Sequence, residues 1–144
     1  MSVGKFCVHN VVTIHPTAPV TMAAERMAME NVGALVVTEN RKPLGIVTDR
    51  DLVVRTLAKR LPPHVTEVRA VMTPNPICVT EDAPLESAME YIKFHRIRRL
   101  IVLNKAQEVG GIFTLDDLLE LVAEERQALE AVTGIMRVMR HERL

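Results

Sequence analysis

The chain has no tryptophan, one tyrosine and three phenylalanines among its 144 residues. A platform that stacks the bases of a single strand needs several exposed rings, so that class of function is not expected. Net charge is also missing, because 18 lysines and arginines balance 18 aspartates and glutamates. A neutral chain exerts no general pull on nucleic acid or on an anionic membrane, so any anion site must be built locally. Cysteine is reduced to Cys7 and Cys78, with no CxxC pair and no Cys/His cluster. A zinc site is therefore not expected, and two isolated thiols fit a reducing compartment. No apolar run approaches the roughly 20 residues of a membrane span, and Met1 to Val12 is too polar and interrupted for a signal peptide. Together these absences point to a cytoplasmic protein with no membrane partner. There is no Gly-x-Ser-x-Gly, Walker loop or metal-ligand spacing, so the chain is not expected to be an enzyme. Asp49/Asp51 and Asp116/Asp117 read as acids at helix starts rather than as a metal cluster.

What the chain does have is apolar mass and repetition. Hydrophobic residues make up 48% of it, enough for a continuous core, and eight methionines suit irregular packing. Ala18-Pro19 aligns with Ala83-Pro84 at an offset of 65 residues. Under that offset Val20, Ala23, Ala24 and Met27 match Leu85, Ala88, Met89 and Ile92, each set spaced as one face of an amphipathic helix. Leu35-Val36-Val37 then meets Leu100-Ile101-Val102, two short runs that read as buried strands. After one inserted residue, Gly45 to Leu52 meets Gly111 to Leu118.

Each half therefore reads strand, helix, strand, strand, helix. The fold class is α/β (α+β): two tandem β-α-β-β-α repeats, expected to pack with pseudo-twofold symmetry and to form clefts between them. Residues 1–60 form the first repeat, 61–67 a linker broken by Pro62-Pro63, 68–123 the second repeat and 124–144 an extension. A half of this size cannot bury its sheet face alone.

The chemistry lies in Gly-h-x-Thr-x-x-Asp, with h apolar, found at Gly45, Thr48 and Asp51 and again at Gly111, Thr114 and Asp117. Glycine permits close backbone approach. Threonine stands at the strand-to-helix corner, where free N–H groups favour an anion. The aspartate, one helical turn on, suits the hydroxyls of a ribose. The same spacing is also that of a helix capping box, and both readings stand at this point. His95-Arg96-Ile97-Arg98-Arg99 is either a solvated basic face or a phosphate clamp beside a cleft. Arg50 and Arg55 read as surface residues of the following helix.

Tandem A-P-(V/L)-x-x-A, L-(V/I)-V and G-I-(V/F)-T-x-x-D-L segments, with Val71-Met72-Thr73-Pro74-Asn75-Pro76 as a lead-in, resemble a CBS-domain pair. The resemblance covers about Thr13 to Val122. It implies binding of an adenosine-type ligand such as AMP, ADP, ATP, S-adenosylmethionine or an NAD-type molecule. Within it, Asp51 and Asp117 correspond to the ribose acid and Thr48 and Thr114 to the hydroxyl residue. Arg98 and Arg99 correspond to the family's phosphate-contacting basic pair, matched by Gly33-Ala34 in the first repeat. Val12 and Ile77, with Met72 nearby, correspond to the apolar bed of adenine. Lys5 to Asn10 does not match the lead-in.

From Asp116 no proline interrupts the chain. Leu115, Leu118, Val122, Glu125, Leu129, Val132, Met136 and Met139 form a stripe that predicts one long C-terminal helix of about 40 Å. A homodimer contact is the expected use of the stripe, with folding back onto the chain as the alternative. Three functions follow: a nucleotide sensor acting in trans on an effector protein, a structural dimerisation module whose motifs are caps, or a nucleotide-processing enzyme.

Overall fold

The computed structural model describes residues 1–124 and 129–140. The chain divides into two compact units, Asn10–Pro76 and Met1–His9 joined with Ile77–Leu144. Each is a mixed α+β unit with a small sheet.

In the contiguous unit the order is β1 (Thr13–Ile14), α1 (Val20–Glu30), β2 (Ala34–Glu39), β3 (Lys42–Thr48), α2 (Asp49–Leu52) and β4 (Thr73–Pro74). The sheet runs β1-β2-β3-β4, with β1 parallel to β2 and the other pairs antiparallel. Helix α1 starts after Pro19 and ends at Asn31 in the left-handed conformation, which asparagine tolerates better than most residues. Its Val20, Ala23 and Met27 are buried, while Leu35 and Val37 of β2 and Val47 of β3 are fully covered. Covering a side chain of that size contributes about 1.5–3 kcal/mol. Ala24, matched to the apolar face in sequence, is exposed. A π-turn, Val53–Leu57, continues directly from α2.

The second unit repeats this plan with β5 (Cys78–Thr80), α3 (Leu85–His95), β6 (Arg99–Leu103), β7 (Val109–Thr114), α4 (Leu115–Glu124) and α5 (Leu129–Arg140). Here β5 is parallel to β6 and β6 antiparallel to β7. Leu85, Ala88 and Ile92 of α3 lie under Leu100, Val102 and Phe113. The inserted residue that changes the repeat offset falls in the β6–β7 turn. Val37 pairs with Gly45, and Val102 with Gly111, in the same register.

The units differ from the linear repeats in one respect. Residues 1–9, read as the start of the first repeat, belong to the compact unit of the second, and residues 68–76, read as the start of the second, belong to that of the first. Backbone pairing is the cause. Val3 and Gly4 donate to Ala83 and Glu81, and Val8 exchanges hydrogen bonds with Ile112, both at 2.9 Å. In the other unit Val68 donates to Ala18, and Thr73–Pro74 pairs with β3. A short 3-10 turn opens each lead-in, at Val3–Lys5 and at Val68–Ala70.

The C-terminal stripe is described in two segments, α4 and α5, and Glu125 lies outside the described residues. Val132 and Ile135 are each 2% exposed in the core of their own unit, with Met139 packed beside them, whereas Met136 is 41% exposed. The heptad phase is not kept, since Ile135 takes the buried place assigned to Met136. Helix α5 packs on α3 and α4, so Val132 and Ile135 fold back onto the core of their own unit.

Candidate functional site

Both Thr-x-x-Asp motifs form reciprocal caps. Thr48 accepts from the Asp51 N–H at 3.1 Å, and Asp51 Oδ2 accepts from the Thr48 N–H at 2.9 Å. Thr114 and Asp117 repeat this at 3.2 and 2.7 Å. Such a cap stabilises its helix start by about 1 kcal/mol. It also orients the acid. Each cap occupies one carboxylate oxygen, while an ionised carboxylate offers about four acceptor sites on two oxygens. The half-buried carboxylate is thus held by one edge, and its other oxygen remains a potential acceptor.

Around the motifs the two units differ. In the Met1–His9/Ile77–Leu144 unit, Arg99 pairs with Thr114 across β6 and β7, and the Leu115 N–H donates to the Arg98 carbonyl at 3.0 Å. Arg98, Arg99, Thr114, Leu115 and Asp116 line a small hollow of about 50 Å³. The structure therefore brings the basic pair to the motif. Arg99 is half-buried and Arg98 exposed. A larger hollow of about 400 Å³ lies over Tyr91, Phe94 and His95 of α3 and contains no motif residue.

In the Asn10–Pro76 unit the matching corner carries no cation. A β-carbon built on Gly33 would stand 3.1 Å from Asp49 Oδ2, so this edge is acidic. The cation comes from elsewhere: Arg55 Nε lies 3.6 Å from Asp51 Oδ1. Its Nη1 donates to the carbonyls of Val71 and Met72 at 3.2 and 3.1 Å. Arg55, read from sequence as a surface residue, reaches the motif aspartate and the lead-in together. An arginine four residues after a helical aspartate is the available signal.

The apolar candidates occupy matching places. The Val12 carbonyl accepts from Val36 at 3.1 Å and the Ile77 carbonyl accepts from Ile101 at 3.2 Å. Val12 and Met72 are partly buried against the core of one unit, and Ile77 against that of the other. The lead-in at residues 3–9, invisible as a motif, is structurally equivalent to that at 68–74. Cys7 stands against Gly111 as Met72 stands against Gly45. His9 closes this segment, with Nε2 2.7 Å from the Gly4 carbonyl and Nδ1 3.1 Å from that of Gly110. Among the described residues no helix is long and apolar enough to cross a membrane.

A CBS-domain family model matches residues 3–57 and 68–124. An uncharacterized protein of Methanopyrus kandleri is 31% identical over 84% of this chain, which spans 62% of that protein's length. The CBS domain-containing protein YhcV of Bacillus subtilis is 34% identical over 87% of this chain and 88% of its own. Among solved structures, a CBS domain protein from Pyrobaculum aerophilum complexed with AMP superposes with a TM-score of 0.77. It is 26% identical, with 93% of this chain and 99% of that one covered.

Proposed function

The chain belongs to the CBS-domain family, and from that premise we propose that it is a regulatory sensor of an adenosine nucleotide, acting in trans on a partner protein. The observation that carries this reading is the pair of motif aspartates. Each is held by its cap through Oδ2, which leaves Oδ1 outside the cap's hydrogen bonds; Oδ1 of Asp51 faces Arg55 Nε at 3.6 Å. Ribose hydroxyls donate to Asp51 or Asp117, with Thr48 or Thr114 beside them. In the unit that contains them, Arg98 and Arg99 meet phosphate, for which guanidinium geometry is suited. Adenine lies on Val12, Met72 or Ile77. The AMP found with the Pyrobaculum relative supports AMP as the first ligand to test. ADP, ATP, S-adenosylmethionine and NAD-type ligands share the same adenosine end. The site is read as one that binds without turnover.

Regulation follows only if the ligand favours one of two states, for instance in a homodimer or in a complex with the effector. The intact caps also favour a second reading, a structural dimerisation module in which Thr and Asp serve only the helix. Calorimetric titration of ligand-free protein separates the two. Saturable AMP binding that weakens in Asp51→Asn or Asp117→Asn supports the sensor. Silence from AMP, ATP, S-adenosylmethionine and NADH leaves the structural module.

A further inference from the structure

The two units obtain positive charge at their motifs from different elements. One uses Arg98 and Arg99, at the start of β6. The other has Gly33 and Ala34 there, next to the Asp49 carboxylate. It has Arg55 instead, four residues beyond the motif aspartate and 3.6 Å from it. At the position equivalent to Arg55 the second repeat has Leu121. Neither repeat carries both solutions.

Arg55 stands in the π-turn that follows α2, and such widened turns recur at functional sites. Its side chain keeps 44% of its exposure while one terminal nitrogen is tied to the Val71 and Met72 carbonyls. The guanidinium is thus held without being enclosed. Without it, the motif would present Asp49 and Asp51 to an incoming anion with only Arg50, exposed on the neighbouring turn, to offset them.

We propose that Arg55 is the specificity-determining cation of the Asn10–Pro76 unit, making its site select a phosphorylated adenosine over the bare nucleoside. This rests on the nucleotide-binding reading above. Arg55 acts through charge at Asp51 and through the bridge to the lead-in, and the two contributions are separable. Arg55→Leu copies the second repeat and removes both. Arg55→Lys keeps the charge and gives up the planar fork that spans three acceptors.

The test is titration of wild type and both variants with AMP and with adenosine. The Met72 methyl resonance serves as a local reporter, identified by its loss in Met72→Leu. Wild type is expected to bind AMP more tightly than adenosine at this reporter. Arg55→Leu is expected to weaken AMP by about tenfold, the scale of one partly screened charge, while adenosine changes by less than about twofold. Arg55→Lys is expected to retain most of the preference. Equal weakening of AMP and adenosine, or unchanged AMP binding in Arg55→Leu, would overturn the assignment and leave the nucleotide reading intact. A reporter in wild type that responds to neither ligand would overturn both for this unit.

Discussion

A β-carbon placed on Gly111 would lie 2.6 Å from the sulfur of Cys7. No side chain fits that gap unless the Cys7 thiol turns aside or the lead-in moves. The other unit repeats the constraint more severely, because a β-carbon on Gly45 would meet the Thr73 carbonyl oxygen at 2.6 Å and Met72 Sδ at 2.7 Å. The thiol of Cys7 swings aside more easily than the Thr73 backbone carbonyl. Gly45→Ala is therefore expected to cost about 1–3 kcal/mol and Gly111→Ala less, measured by urea unfolding. Cys7→Ala should recover part of the Gly111→Ala loss in a double-mutant cycle. Strict additivity would show that the contact does not govern this glycine.

The capping and ligand roles of the aspartates separate by conservative substitution. An asparagine at position 51 or 117 keeps an oxygen that accepts the threonine N–H, and gives up the charge. Asp51→Asn and Asp117→Asn are expected to fold with caps in place. AMP binding at the altered site should weaken by about 1–3 kcal/mol, the range for a hydrogen bond to a charged group. Calorimetry and the unfolding midpoint together decide. A loss of stability with affinity unchanged would assign the aspartates to the helix alone.

Helix α5 gives a test of phase. Ile135 is buried and Met136 is not. Ile135→Ala is expected to destabilise by about 2–4 kcal/mol, and Met136→Ala by less than about 0.5 kcal/mol. Equal costs in thermal unfolding would restore the heptad phase read from sequence.

The thiols give a pH dependence. Burial pushes Cys7 up from its ordinary value of 9.0; its own backbone hydrogen bond opposes this, and the charges of Asp117 and Glu81 add to it. Burial raises Cys78 as well. Both groups favour the protonated form in the fold. The stability they contribute is fully present below the unfolded thiol value and is lost as pH rises through the raised folded value. Native protein should label slowly with a thiol reagent at pH 7.5, and unfolding free energy should decline above about pH 9. Native labelling as fast as that of the unfolded chain would contradict the burial.

Much of this architecture could be read from side-chain pattern. The stripe Val20, Ala23, Met27 and its copy Leu85, Ala88, Ile92 mark helices because burial repeats with the helical turn. The runs at Leu35 and Leu100 mark strands for a similar reason. What stayed hidden depends on backbone or on distance. Residues 3–9 share only Val3 with Val68 at the matching offset, and the hydrogen bonds of Val3, Gly4 and Val8 to the second unit are made by main-chain groups common to any sequence. Arg55 looked like an ordinary helix-surface charge because its carbonyl partners, at Val71 and Met72, lie 16 and 17 residues away. In α5 it is Ile135 and not Met136 that meets the core, one position away from the stripe read in sequence.

The exchanged lead-ins also set an order of events during synthesis. Residues 10–76 hold every strand of one sheet, so all its pairing partners are made before residue 77. Residues 1–9 are made before them, yet wait for Ile112, the hydrogen-bond partner of Val8. At about 5–20 residues per second that wait is several seconds. Throughout it Val3 and Phe6, core-bound in the finished protein, are nascent apolar surface open to chaperones. The second unit is assembled around a piece of chain older than its neighbour, so a ribosomal pause between residues 76 and 112 would prolong that exposure.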